Sequence, residues 1–442
     1  MSSLTLSMKR ASFMPDSVYR VSLIFLGLLT LGLVIASKAK TASNLTLDPL
    51  LIIYTIFVTS FELSRVLGAM FYKTNAYKEA VEHPSDLIEG AFEPTVSIVI
   101  PCMNEEKSIA KTIEKSFAAE YPKEKIEVIV INDGSTDHTL DVLRQMQMKY
   151  PELIVVNWKE NRGKRHGMAE GFRRATGEII VQLDSDSYMH PPTFRELIEP
   201  FRNKTVGAVC AHADPENAEK NFLTRMQAAY YFLSFRILKA AESTFFTVFC
   251  CSGCSSAYRR DLVLPVLDEW LEEKFLGLSV TWGDDRALTN RIVRLGYKTM
   301  YSETAQAYTI CPDNMKQLMK QQVRWKKGWM VNSLFASKFI WKERPFVAFT
   351  YFFPLVLVTL LTPFMAAKAM VYNPIVKGEF PLYYVMGVFL VATIITIYYR
   401  YVSRHNRYWI YVFAWSALNM MVLSFVLFYA MVTIQNRKWG TR

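Results

Sequence analysis

The chain has 442 residues, room for about two or three domains at ~150 residues each. It is 51% hydrophobic and 14% aromatic yet 21% charged, which excludes both a plain soluble globule and a bare membrane bundle. The net charge of +11 calls for anionic partners. The cations flank apolar runs, so lipid headgroups and a nucleotide diphosphate fit better than nucleic acid, for which no motif is present.

The first apolar run, "YRVSLIFLGLLTLGLVIASK" (19–38), has near-spanning length and follows Lys9, Arg10 and Arg20. No A-x-A-like cleavage site follows it, so it reads as a span rather than a signal peptide. An Asn44-Leu45-Thr46 sequon sits in the short outer loop beyond it. The second run, 50–72, completes an N-terminal transmembrane pair over 1–72. It holds Glu62 and Arg65 one turn apart, either lining a path or pairing along the helix.

Residues 73–313 lose the long apolar runs and read as a cytosolic domain. "TVSIVIPCMNEE" (95–106) opens with a buried-strand pattern, Val96 to Ile100. "KSIAKTIEKSFAAE" reads as an amphipathic helix, and "KIEVIVINDGSTDHT" (125–139) repeats the strand over Ile126–Ile131. That is a βαβ unit, so a mostly parallel α/β sheet is expected. Further strand signals follow at 153–158, 178–186 and 206–212. Ligands of such sheets sit beyond the strands' carboxyl ends, where Asn132-Asp133 and Asp184-Ser185-Asp186 fall.

Asp184 and Asp186, two apart in a loop, suit a hard cation such as Mg2+ or Mn2+ that shares its other positions with phosphates; an acidic turn is the plainer alternative. "NRGKRHG" (161–167) is a glycine-flanked basic loop in which Lys164 and Arg165 face a diphosphate or merely solvent. Asp284 and Asp285 stand directly before an arginine-rich helix, as a cap or as a general base and its neighbour.

The cysteines, Cys102, Cys210, Cys250, Cys251, Cys254 and Cys311, lack a second Cys/His pair at zinc spacing and are expected as reduced thiols. "KQQVRWKKGW" (320–329), within interface helices over 314–345, sets cations and tryptophans at a membrane edge, where headgroup anchoring is the simplest role. The remaining 346–442 holds spans at 346–372, kinked at Pro354 and Pro363, and 381–399. "RYVSRHNR" (400–407) reads as cytosolic. The run 408–434 precedes Arg437, Lys438 and Arg442, so a broken or re-entrant segment near Asn419 is expected.

Taken in order, "VSIVIPCMNEE", "VINDGSTD", "NRGKRHG", "LDSDS", "CSGCSSAYRRD", "WGDDRALTNR" and "QQVRW" resemble the processive, membrane-embedded family-2 glycosyltransferases. These include hyaluronan, chitin and rhizobial chitooligosaccharide synthases. "CSG…YRRD", "GDDR.LTNR" and the terminal "WGTR" (439–442) are similar to the hyaluronan synthase branch. The resemblance implies a GT-A-like domain. It implies Asp184 and Asp186 at the metal–diphosphate, Asp133 at the uridine, and Lys164 at the nucleotide. It further implies Asp285 as base, Gln321 or Gln322 with Arg324 at the diphosphate, and Trp325 under the acceptor sugar. Cys251, Ser252 and Gly253 fall near the acceptor end. Cys254 stands where that branch usually has proline, and "KKGWM" departs from its polar stretch, so the choice of sugar is the open point.

The expected activity is inverting polymerisation of UDP-sugars into a β-linked polysaccharide that leaves through the protein's own helices. Hyaluronan is the first expectation; chitin-like or glucose–glucuronate polymers come second. A lipid-carrier glycosyltransferase and a transporter with a nucleotide-binding domain are the competing classes. Expected partners are UDP-sugar donors, the growing polysaccharide and membrane lipids, without nucleic acid, for a monomer in the plasma membrane.

Overall fold

The computed structural model describes residues 49–379, 381–403 and 406–436. The expected span at 19–38, the Asn44 sequon, and the terminal cations with "WGTR" lie outside the described residues. Helix α1 (Pro49–Glu82) runs unbroken for 34 residues, well past the expected end at 72. Strand β1 (Val96–Cys102) is buried at every position, as a β-branched run covered on both faces should be. Helix α2 (Ile109–Phe117) turns Ile109, Thr112, Ile113 and Ser116 inward. It hands the chain to β2 (Ile126–Asp133), parallel to β1 from Val96↔Ile126 to Cys102↔Asn132. β2 therefore carries Asn132 and Asp133 as its last residues rather than as a loop.

After helix α3 (Thr139–Lys149) comes β3 (Ile154–Trp158), then helix α4 (Lys164–Arg174) and β4 (Ile179–Gln182). β3 lies parallel outside β2, and β4 parallel on the other side of β1. The sheet then grows by strands not anticipated from the sequence: β5 (Ser187–Met189), β7 (Ser256–Arg259) and β10 (Lys298–Thr309). With β6 (Val206–Pro215) the order is β3-β2-β1-β4-β7-β6-β10-β5. β7 is antiparallel to both neighbours, and β5 to β10; every other pairing in this sheet is parallel. A small hairpin, β8 (Lys274–Phe275) and β9 (Leu278–Ser279), stands apart.

Helix α5 (Phe222–Phe232) continues as a π-helix over Leu233–Lys239. Helix α6 (Asp284–Arg294) precedes β10, and helix α7 (Met315–Ser337) follows it. The apolar end holds α8 (Phe353–Ala367), α9 (Leu382–Val402), α10 (Tyr411–Met421) and α11 (Val426–Val432). Among the described residues three helical stretches are long and apolar enough to cross a membrane: Pro49–Ala76, Pro345–Lys377 and Tyr384–Val402. The second has Pro354 in the first turn of α8, Pro363 inside it, and π-turns at Ala348–Phe352 and Lys368–Lys377, the devices that bend helices. Residues Arg407–Met421 and Leu423–Val432 meet at 44°, a break just past Asn419.

The core is continuous. Val66, Ala69 and Met70 of α1 join the sheet's apolar residues in one cluster that reaches Val412 of α10. Among the described residues Arg65 makes no ion pair with Glu62, the partner expected along the helix. Its guanidinium lies 4.4 Å from the Phe61 ring centre and 3.6 Å from that of Tyr351, and donates to Thr350 O at 3.3 Å. Because β1 is fully enclosed, Ile98→Ala should cost about 2–5 kcal/mol. The fall in thermal unfolding temperature of the detergent-solubilised protein checks this.

Candidate active site

The carboxyl ends of β1 and β4 open on a cleft of about 1010 Å³, at the upper end for a small-molecule site and large enough for a donor and an acceptor end together. Asp184 and Asp186, in the loop after β4, both line it. Lys164, first residue of α4, forms an ion pair with Asp184. Asp186 Oδ1 accepts from Ser187 Oγ at 3.2 Å.

Asp284 and Asp285 are the first two residues of α6 rather than a loop before it, and they part company. Gly283 precedes them at φ 69°, a left-handed turn that favours glycine. Asp285 lines the cleft; its Oδ2 accepts from Gly253 N at 3.1 Å and its Oδ1 from Arg286 N at 2.9 Å. Asp284 is 8% exposed and is bound by Arg165 Nε at 2.8 Å. Arg165 also meets Glu273 Oε2 and Trp270 O, each at 3.0 Å, and stacks 5.0 Å over the Trp270 ring. Arg165, expected at the diphosphate, is therefore a buried pin behind the cleft. A guanidinium with two carboxylates at hydrogen-bond distance is compensated where it lies. Asp284 borders the cleft beside Asp285 and is that pin's counter-charge.

Asp133 is likewise spent locally. Its oxygens accept from Arg162 N at 2.6 Å and Gly163 N at 2.9 Å, so it holds the 161–163 loop from which α4 starts. It does not line the cleft. Of the expected acceptor residues, Ser252 and Gly253 line the cleft, but the Cys251 side chain is fully buried with its N–H on Thr289 Oγ1 at 3.0 Å. All six cysteines are unpaired. Burial, then the Asp285 carboxylate, pushes the Cys250 thiol up to about 12, so it is a protonated wall rather than a nucleophile.

Helix α7 divides the "KQQVRWKKGW" stretch by direction. Gln321, Gln322, Arg324, Trp325, Lys326, Gly328 and Trp329 line the cleft. Gln321 Oε1 and Gln322 Nε2 are buried with no protein partner among the described residues, as is Gln182 Oε1 on the cleft floor. Such atoms cost free energy unless something else supplies the bond. The Trp325 ring lies 6.3 Å from Tyr230, which stacks on Trp415 at 4.5 Å. A row of aromatics thus leads from the cleft to α10.

The expected headgroup anchors Lys326, Lys327 and Trp329 are corrected. Lys327 is 5% exposed and donates to Thr433 O at 2.5 Å and Asn436 O at 3.0 Å, closing carbonyls past α11. Lys326 and Trp329 face the cleft, and burial, then Arg286, pushes the Lys326 ammonium down. A Cβ on Gly328 would stand 2.9 Å from Gly283 Cα, so this glycine lets α7 cross the turn that presents Asp285.

Tyr230, Ser234 and Lys239 also line the cleft and were not anticipated. Tyr230 lies near the end of α5, and Ser234 and Lys239, five apart, follow the wide turn of the π-helix, which the sequence does not reveal. Lys239 is 6% exposed and donates to Cys250 O.

Residues 97–265 match the model of glycosyl transferase family 2. The chain is 31% identical over 355 residues to the hyaluronan synthase of Streptococcus pyogenes serotype M1, covering 78% of this chain and 83% of that one. It is 27% identical over 351 residues to an N-acetylglucosaminyltransferase of Azorhizobium caulinodans, covering 79% and 87%. In fold it is similar to the mannosyltransferase PcManGT from Pyrobaculum calidifontis, solved with GDP-Man and Mn2+. There the TM-score is 0.55 at 20% identity, over 86% of this chain and 100% of that one.

The chain thus belongs to the family-2 glycosyltransferases, with a GT-A-like mostly parallel sheet domain and candidate membrane-spanning helices. It is a glycosyltransferase, and the transporter reading falls away.

A Cβ on Gly253 would stand 2.9 Å from Gln182 Nε2 and 3.0 Å from Asp184 Oδ1. Gly253→Ala should therefore displace Asp184 and lower kcat at least tenfold, about 1.4 kcal/mol in the barrier, with little change in unfolding temperature. Steady-state transfer kinetics beside a thermal melt check it.

Proposed function

We propose that the chain is a processive, inverting β-glycosyltransferase that polymerises UDP-sugars and passes the polymer out through its own membrane helices. The observation that carries this is the common cleft: Asp285 and the Asp184/Asp186 loop share it with Trp325, whose aromatic row runs on to the broken helix pair. A non-processive transferase on a lipid carrier does not require an acceptor platform continuous with apolar helices.

In this reading Asp285 takes the proton of the acceptor hydroxyl as its oxygen attacks the anomeric carbon and UDP departs with inversion. Its two backbone hydrogen bonds hold the carboxylate in one orientation, which is what a general base needs. Arg324 and Lys164 supply counter-charge to the diphosphate. Trp325 offers a flat apolar face to the sugar ring.

A divalent cation, Mg2+ or Mn2+, fits the acidic loop. Asp184 and Asp186 offer hard oxygen ligands at the cleft wall, and among the described residues no third acid, histidine or cysteine completes a cluster with them. A partial carboxylate set suits an ion that shares its positions with phosphate oxygens. When bound, such an ion would stabilise the diphosphate leaving group as a Lewis acid.

The arginines of 400–407 favour a cytosolic catalytic domain in a plasma-membrane protein. The similarity to a hyaluronan synthase supports N-acetylglucosamine and glucuronate as the donor sugars; the similarity to an N-acetylglucosaminyltransferase favours chitin-like product as the second reading.

Purified protein supplied with UDP-N-acetylglucosamine and UDP-glucuronate should make high polymer only when both are present. Polymer from UDP-N-acetylglucosamine alone would move the assignment to chitin, and short lipid-linked product would refute processive synthesis. Asp285→Asn should cut transfer by roughly 10²–10⁴-fold and leave UDP binding intact; near-normal elongation would rule Asp285 out as base. Trp325→Ala should raise the acceptor KM about tenfold, close to 1.4 kcal/mol, and leave donor KM in place; equal loss of both would remove the stacking role.

A further inference from the structure

The acids and cations of the cleft are unevenly matched. Asp184 pairs with Lys164, Asp284 with Arg165, Glu216 with Lys111 and Asp313 with Lys220. Asp186 accepts from Ser187, and Asp285 from two backbone N–H groups. Among the described residues, neither the Arg286 guanidinium nor the Lys326 ammonium has a hydrogen-bonding or ionic partner, although both line the cleft. They approach it from different elements, Arg286 from α6 and Lys326 from α7. Lys239, from the π-helix, adds a third cation whose partner is a neutral carbonyl, Cys250 O.

Unpaired like charges in a partly buried wall are costly. Burial, then Arg286, pushes the Lys326 ammonium down, and Lys239 and Arg286 both act on Tyr230; all three cations line the cleft with that ring. That region is the aromatic one: Tyr230, on which Lys239 and Arg286 act, is the ring beside Trp325, and Lys326 and Trp325 line the same cleft. An aromatic face beside fixed cations suits a sugar ring that carries an exocyclic carboxylate.

We propose that Lys326 and Arg286, with Lys239 behind them, form a subsite for the carboxylate of a uronic acid in the acceptor chain. The inference rests on the polymerising-transferase reading and deepens it: the product contains uronate and is not chitin. The donor diphosphate is the competing anion, and it differs by experiment.

The test uses the full-length purified protein with saturating UDP. The probes are a tetrasaccharide of alternating N-acetylglucosamine and glucuronate and the same tetrasaccharide with its carboxylates reduced to alcohols. Isothermal titration should show the wild type binding the carboxylate form about tenfold or more tightly, the scale of one charge-assisted contact of about 1.4 kcal/mol. Lys326→Gln should remove most of that preference and leave affinity for UDP and for the reduced probe unchanged; Lys326→Arg should retain it. Equal binding of the two probes by the wild type would overturn the proposal, as would loss of both probes together in Lys326→Gln. Weakened UDP binding in that variant would assign the cation to the diphosphate instead. A carboxylate preference in a protein that makes no polymer from paired donors would sink the polymerase reading while the subsite stands.

Discussion

Gly253 donates its N–H to Asp285 Oδ2 at 3.1 Å, and its carbonyl accepts from Asp184 N at 3.0 Å. One glycine thus ties the acidic loop after β4 to the acid that opens α6. The sheet explains how it gets there. β7 pairs antiparallel with β4 at Gln182↔Ser256, so the chain entering β7 must run beside the chain leaving β4. That neighbourhood delivers residues 252–254 alongside Asp184. A side chain at that position would have to displace the Gln182 amide or the Asp184 carboxylate. The spacing between the Asp184 loop and the Asp285 carboxylate is therefore set through backbone hydrogen bonds, not by flexible side chains alone. Preorganisation of this kind is what positional catalysis requires.

Helix α7 supplies the opposite wall, and its residues sort by direction around one cylinder. The face with Gln321, Arg324, Trp325 and Gly328 looks into the cleft, whereas Lys327 reaches to Thr433 and Asn436. Gly328 lets this helix lie against Gly283, and Asn332 Nδ2, donating to Gly283 O at 3.4 Å, spans the crossing. The same helix thus touches the turn before Asp285 and the end of the broken helix pair. Ring contacts from Trp325 through Tyr230 to Trp415 run the same way.

The parallel half of the sheet was legible because its strands are short, continuous apolar runs bounded by polar loops, the pattern of strands buried on both faces. The acids at 184, 186 and 285 were legible because they follow a strand or open a helix. The inserted strands were not. "SAYR" over 256–259 is too short to announce itself, and β10 mixes polar and apolar residues over Lys298–Thr309, since its pairing partners rather than its composition place it. Side-chain direction was the other blind spot. Arg165 and Lys164 are neighbours in a basic loop, yet one is buried among Glu273, Asp284 and Trp270 and the other meets Asp184. Lys326 and Lys327 diverge in the same way. Adjacent residues on a helix point about 100° apart, and which one meets a cleft depends on elements far away in the chain.

The cleft is also joined to the apolar helices from its other side. Glu242 accepts from Tyr351 Oη at 2.9 Å and from Phe249 N at 3.2 Å. Tyr351 lies in the Pro345–Lys377 stretch and carries Arg65 of α1 over its ring. Phe249 leads directly into Cys250 and on to Gly253. The segment that links Asp184 to Asp285 is thus anchored upstream on two candidate spans, while α7 is anchored downstream on the broken pair through Lys327. A displacement of these helices relative to the sheet would have to be absorbed between Phe249 and Gly253, or at the Gly283–Gly328 crossing. Both are close-packed places where even a small shift cannot be hidden. The candidate spans are for this reason part of what gives the cleft acids their geometry, as well as the surface beside which Trp325, Tyr230 and Trp415 stand.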